Sequence, residues 1–342
     1  MISKKKEKNK NIIFCRACCC IGILIFHYFC HSKGEFKFLF KTANSNFGFL
    51  FVTTFFCISG FVLNYNYPKI ISIKQFYYKR WKSVLVPYYI CFIYFLFNNL
   101  SLLKNLIYSG HLKRLFFNIF GLDGYLLYRF KSFSLVGEWF LGAIIIIYIL
   151  FPLLSIVSKG NIIINNILFF SLYFFIYKKK NFFIIIPERN IITCIFSFYF
   201  GMESFKLKKI FLDNNISFLI SFLLLFIFCT IKINIKFYVL IHQIQGFCLF
   251  IVLYKVGYYA MNSKINFLFD KISHISYSIF LLHHKLIIYI LSIYNPEKWH
   301  AHILLITFII IITIISSNIH LMVLNSIFKS SLFKKIDLLF NL

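Results

Sequence analysis

Charge is scarce in this sequence. Only 14% of its 342 residues are charged, against about a quarter in soluble domains, which excludes an ordinary water-soluble fold of this length. Acidic residues are the rarest part: ten Asp and Glu stand against 37 Lys and Arg, a formal net charge of +27. A metal-binding cysteine pattern is also missing. There are ten cysteines, but Cys15, Cys18, Cys19 and Cys20 sit inside an apolar stretch with no matching Cys/His pair, and they read as small buried hydrophobes. No small-residue cleavage site follows the Lys-rich start from Met1 to Lys10, so the first apolar run reads as an uncleaved helix. No internal repeat is visible, and no polar stretch is long enough to bury a core of its own.

What fills the sequence instead is apolar: 60% of residues are hydrophobic and 21% aromatic. Phe, Ile, Lys, Asn and Tyr are all abundant, as in AT-rich coding sequences, so single Phe or Tyr residues carry little weight. The apolar residues fall in runs long enough to cross a bilayer, which takes about 20 residues per helix. Candidate spans cover roughly 11–31, 46–66, 84–101, 138–157, 161–177, 190–206, 212–231, 237–257, 272–294 and 302–325. Pro187, Glu188 and Arg189 interrupt the run before the sixth. The stretch from Leu102 to Gly137 reads as a long polar-aromatic connection with room for a helix in the interface. The expected class is all-α, a polytopic membrane protein of about ten transmembrane helices in one bundle. A basic tail (1–10), a transmembrane domain (11–325) and a C-terminal tail (326–342) complete the layout.

Lys and Arg placement orients the bundle. Lys4–Lys10 and the loop carrying Lys69, Lys74, Lys79, Arg80 and Lys82 put the N-terminus in the cytoplasm. An even number of spans returns the C-terminus, with Lys329, Lys334 and Lys335, to the same side. Basic loops facing anionic lipid account for the net charge, and no nucleic-acid partner is expected.

Ionisable groups inside spans are costly and point to function. The first span holds Arg16 and His27, eleven positions apart. Eleven steps of about 100° make three turns plus about 20°, so the two share a face, about 16 Å apart along the axis. His31 lies one turn further along that stripe. An imidazole can take a hydroxyl proton near neutral pH where Lys or Arg cannot. On this helix alone a second reading stands beside it: Arg16 snorkels to the interface and His27 bonds a neighbouring helix. In the second span, Ser59 and Gly60 permit close backbone approach. The basic loop, with Lys79, Arg80 and Lys82, leads into Pro87 and offers either phosphate contacts or ordinary interface anchors. Glu138 precedes Trp139 at the start of the fourth span, placed to orient a base or to cap the helix. In the ninth span Ser276 and His283 share a face, with Tyr277 between them. His283 and His284 point about 100° apart, so at most one of the two is expected in a shared pocket.

Taken in order, these pieces resemble the acyltransferase type 3 family of integral-membrane O-acyltransferases. The likeness rests on Arg16 with His27, on Phe55-Phe56-Cys57-Ile58-Ser59-Gly60-Phe61, and on the basic entry from Arg80 to Pro87. It continues with Glu138-Trp139-Phe140-Leu141, followed by Tyr148 and Pro152, and ends with Ser276-Tyr277-Ser278-Ile279-Phe280-Leu281-Leu282-His283. Each motif is short; their common order along the chain carries the resemblance. It implies an enzyme that transfers acyl groups other than amino-acyl groups, often acetyl. The donor would be acetyl-CoA or another acyl-CoA, used as a substrate with no permanently bound cofactor. The acceptor would be a hydroxyl of a cell-surface polysaccharide, lipopolysaccharide or lipid-linked glycan, and the protein would sit in the inner membrane. The resemblance makes His27, Arg16 and Glu138 the catalytic candidates and Arg80, Lys82 and Lys79 the donor contacts. Ser59, Tyr277 and His283 would line the pocket, and no metal ligand is expected. The pattern departs from the family's Arg-x-x-Arg: Arg80 is followed by Trp81, Lys82 and Ser83, and Lys82 lacks the bidentate fork of Arg. No hydrolase-like domain is fused, so a stand-alone form is expected. A glycan or lipid transporter, or an inactive accessory subunit of a polysaccharide assembly complex, are the alternative readings; transporter-like inverted repeats are not apparent.

Overall fold

A chain this apolar can satisfy its backbone in lipid only within helices or a closed barrel, and its sequence chooses helices. The computed structural model describes residues 9–33, 41–102, 115–129, 136–178, 185–233 and 238–340. Lys4 to Lys8 of the basic tail, and residues 103–114 and 130–135 of the long connection, lie outside them. The helices are α1 (Lys10–His31), α2 (Phe47–Asn66), α3 (Ile73–Arg80), α4 (Val86–Leu102), α5 (Leu115–Ile119), α6 (Glu138–Val157), α7 (Ile162–Lys178), α8 (Ile191–Lys206), α9 (Lys208–Phe211), α10 (Asn215–Thr230), α11 (Tyr238–Ala260), α12 (Asn266–Ile293), α13 (Trp299–Lys329) and α14 (Ser331–Leu339). No strand occurs among the described residues.

All ten expected spans coincide with helices. Six are long and apolar enough to cross a membrane: α1, α2, α6, α11, α12 and α13. The helices at the other four positions are shorter, at 16 or 17 residues. Side-chain caps start many of them. Asn9 accepts from Ile12 N, Asn46 from Phe49 N, Asn190 from Ile192 N and Asn214 from Ile216 N, each supplying an acceptor to an otherwise orphaned N–H. The described part of the long connection holds α5 and a short 3₁₀ turn, Tyr125–Tyr128. The expected C-terminal tail is largely helical: α13 continues to Lys329 and α14 follows.

Packing centres on α1, which touches α2, α11, α12 and α13. Its cysteines serve as fillers: Cys15 and Cys19 are fully buried against Phe61, Phe250 and Tyr254. Helices α2 and α8 pack closely. A Cβ on Gly60 would stand 1.9 Å from the Phe198 carbonyl oxygen, and one on Gly201 would stand 2.0 Å from that of Cys57. Small residues on both helices thus set the approach, since lipid gives no hydrophobic drive for helices to associate. By contrast, α13 presents Ile303, Leu304, Phe308, Ile311, Ile315, Ile319 and Met322 outward, as a lipid-facing surface must.

Between α3 and α4 the chain makes one π-helical turn, Trp81–Leu85. Wide turns leave carbonyls without their usual partners and recur at functional places. Here Tyr277 donates to Val84 O at 2.8 Å, tying α12 to the turn. Pro87 removes a further helical N–H at the same point, and the Pro87 carbonyl faces His320 Nε2 at 3.1 Å.

Candidate functional site

Glu138 sits where four histidines meet. It opens α6 directly after Gly137, whose φ of 80° needs glycine, and its own φ is 43°, the one non-glycine residue with positive φ among those described. A left-handed Glu costs about 1–3 kcal/mol and persists only where its surroundings fix it. Gly124 does part of that fixing: a Cβ there would stand 2.2 Å from the Glu138 carbonyl oxygen. The strain turns the carboxylate into the bundle, where its side chain is 13% exposed.

Around that carboxylate, His284 Nδ1 donates to Oε1 at 2.6 Å, His27 Nε2 lies 3.5 Å from Oε2 and His283 Nε2 lies 3.7 Å from Oε1. His31 Nε2 meets His284 Nε2 at 2.6 Å. Because His284 gives its Nδ1 proton to Glu138, its Nε2 is the acceptor and His31 is the donor. The imidazole of His27 packs against those of His284 and His283, with ring centres 4.6 and 5.1 Å away. One carboxylate therefore meets three imidazoles directly and a fourth, that of His31, through His284, the groups coming from α1, α6 and α12.

Both His283 and His284 reach this point, against the expectation that at most one would. Their Cα–Cβ bonds do diverge, but Glu138 is lodged between them, and two long side chains can converge on one group from either flank. Arg189 also belongs here. Its guanidinium lies over the Trp139 ring, 5.5 Å from the centroid, and Glu138 and Glu188 both act on it electrostatically. Glu188 in turn lies 3.4 Å from His242 Nδ1. In the sequence Pro187–Arg189 reads only as an interruption; in the fold it is a short 3₁₀ turn that delivers charge to the site.

The other candidates gather at the far end of α1. Arg16 lies within electrostatic reach of Tyr148, and Arg80 lies over the rings of Tyr148, Tyr67 and Phe76 at 5.8, 5.7 and 5.9 Å. Tyr277 adjoins the same Tyr148. Lys82 points elsewhere. Its ammonium is 2.7 Å from both carboxylate oxygens of Asp337 on α14, which also accepts from the Tyr78 hydroxyl at 2.8 Å. The hydrogen bond from Lys82, then that from Tyr78, hold the Asp337 carboxyl below the usual carboxylate range. Tyr78 stacks on Phe340 with ring centres 4.1 Å apart. Arg80 and Lys82 thus do not converge: two residues along a helix turn a side chain about 200°. Lys79 is half-buried, and Ser59, also half-buried, takes no part in the contacts around Glu138.

A family model for an acyltransferase domain matches residues 9–321. The chain belongs to the acyltransferase type 3 family. No curated protein and no solved structure matches it. Among the described residues Glu188 meets His242 alone, whereas the cluster on Glu138 brings three imidazoles to one carboxylate. Two overlapping sets in it, His27–His31–His284 and His27–Glu138–His283, hold their ligand-grade atoms within 4.8 Å of one another.

Proposed function

We propose that this acyltransferase moves an acyl group, most simply acetyl, from cytoplasmic acyl-CoA to a hydroxyl of a cell-surface polysaccharide or lipid-linked glycan. In this reading about ten helices cross the inner membrane with both termini in the cytoplasm, the four shorter ones completing the bundle beside the six long spans. That places the Glu138 end outward, facing the acceptor, and Arg16 and Arg80 inward, facing the donor.

The observation that carries the reading is the pairing of His27 with Glu138 inside the bundle, 3.5 Å apart. With Nε2 turned to the carboxylate, the ring's proton sits on Nε2 and Nδ1 offers its lone pair. Nδ1 takes the hydroxyl proton as the acceptor oxygen attacks the thioester carbonyl. The C–O bond forms, the C–S bond breaks, and the proton returns from the imidazolium to the leaving thiolate, restoring His27 and releasing the thiol. Glu138 fixes the tautomer and stabilises the imidazolium, as a carboxylate does for a histidine base elsewhere. Arg16 and Arg80 hold the donor's anionic groups near Tyr148, with Tyr277 and His283 lining the space between the two ends. Lys82 takes a lesser part, since Asp337 already engages it. Transfer of radiolabel from acetyl-CoA to membrane glycan by the purified protein tests the reading. Label in the glycan supports it; glycan movement without label points to a transporter, and neither result points to an accessory subunit.

A further inference from the structure

Among the described residues, one nitrogen of His283 has no group to bind. Its Nδ1 lies 2.9 Å from the Phe280 carbonyl oxygen and 3.1 Å from that of Ile279. Carbonyl oxygens only accept, so the proton sits on Nδ1 and the neutral ring carries its lone pair on Nε2. That Nε2 has no hydrogen-bond partner among the described residues, and His283 is 1% exposed. It faces Glu138 Oε1 at 3.7 Å, an acceptor opposite an acceptor. In a bundle interior such a pair calls for a positive charge between them.

We propose that His27, Glu138 and His283 form a zinc site. Zinc bonds to imidazole nitrogen and carboxylate oxygen of about 2.0–2.1 Å give tetrahedral edges of about 3.3 Å. His27 Nε2 lies 3.5 Å from Oε2 of Glu138 and His283 Nε2 lies 3.7 Å from Oε1. With one carboxylate oxygen as ligand the three atoms lie within 4.8 Å of one another, so the set closes around one ion with side-chain shifts of up to about 1.5 Å. The supporting contacts are those of a metal centre: ligating histidines donate their second N–H to a carbonyl or carboxylate, and ligating carboxylates are themselves hydrogen-bonded. His283 Nδ1 does the first, and His284 Nδ1, 2.6 Å from Glu138 Oε1, does the second. Two imidazoles and one carboxylate favour zinc over magnesium. Side-chain exposures of 18% at His27 and 13% at Glu138 leave a way in and an open fourth position.

Zinc uptake goes beyond the proposed transfer reaction and does not rest on it. Its consequence for that reaction does. Zinc on His27 Nε2 moves the ring proton to Nδ1, the atom proposed to take the hydroxyl proton, so the loaded site is inactive.

The test is titration of chelator-stripped, detergent-purified protein with Co²⁺ as a spectroscopic probe. A tetrahedral visible band saturating at about one ion per chain, displaced by Zn²⁺ and not by Mg²⁺, is expected. His283→Ala and Glu138→Gln should each weaken uptake about 100-fold, and His284→Ala by about 10–100-fold, the usual cost of losing a supporting partner. His300→Ala, at an exposed histidine, serves as the control and should leave uptake unchanged. No saturable band in the wild type overturns the site and leaves a proton as the charge between the acceptors; so does uptake that His283→Ala does not weaken. In the acyl-transfer assay, zinc should abolish label transfer and a chelator restore it. Full transfer by zinc-saturated protein overturns the inhibition. Absence of transfer from metal-free protein counts against the proposed function alone, because the cobalt titration decides the site without it.

Discussion

The two ends of this bundle solve opposite problems of charge. At the Glu138 end one carboxylate is shared among three imidazoles, with a fourth bonded to one of them, which supplies bases and a fixed negative charge. At the other end the cations stand apart: Arg80 lies among aromatic rings, while Lys82 is matched by Asp337 from the C-terminal helix. The first arrangement suits proton transfer, the second suits holding an anion. With ten acidic residues in the chain, each place where a carboxylate meets a cationic or basic group marks a choice.

The comparison breaks if a change at the Glu138 end fails to act on turnover. His27→Ala is expected to lower kcat by about 10²–10⁴-fold, the usual share of a general base, with little change in KM for acyl-CoA; steady-state kinetics with labelled donor would show it. Gly124→Ala touches no reacting group, yet its methyl would stand where the Glu138 backbone is. A shift of about 1 Å in a catalytic group costs up to about 10²-fold, so kcat should drop by that order while the protein remains folded by circular dichroism.

Changes at the other end should act on the donor instead. Arg80→Lys keeps the charge and loses the planar fork; KM for acyl-CoA is expected to rise about tenfold with kcat nearly held, the pattern of lost ground-state binding. The smallest effect belongs to Asp337. Its carboxyl is held below the usual range when α14 is docked, so its contribution is present above the undocked value of about 3.9 and is lost as pH falls through the docked one. Hydrogen exchange in α14 should accelerate over that acid range. In Asp337→Asn it should be faster already at neutral pH and insensitive to acid, at a cost of about 1 kcal/mol or less, as for a partly exposed ion pair.

Much of this was legible in one dimension. Apolar runs located the helices at all ten expected spans, and the eleven-residue spacing of Arg16 and His27 put the two on one face of α1, toward opposite ends. Glu138 beside Trp139 and the histidines of α12 were visible as candidates. What periodicity does not carry is contact between distant segments. Nothing in Pro187-Glu188-Arg189 shows that the turn lies over Trp139, or that Glu188 meets His242 from α11. The convergence of His283 and His284 was hidden because helix geometry gives the direction of a side chain's root and not where its tip ends. Lys82 reads as a donor contact in the sequence, and nothing there shows that α14, read as tail, carries Asp337 to pair with it.

The length of α13 bears on the membrane itself. Its 31 residues extend about 46 Å at 1.5 Å per residue, well beyond a hydrocarbon thickness of about 30 Å. Such a rod must lean or protrude, and the amount depends on the lipid around it. Because α14 hangs from its C-terminal end and grips Lys82 and Tyr78, acyl-chain length in the bilayer becomes a mechanical input to the π-helical turn. Shorter lipids would draw that clasp away from the basic turn, and longer ones would seat it.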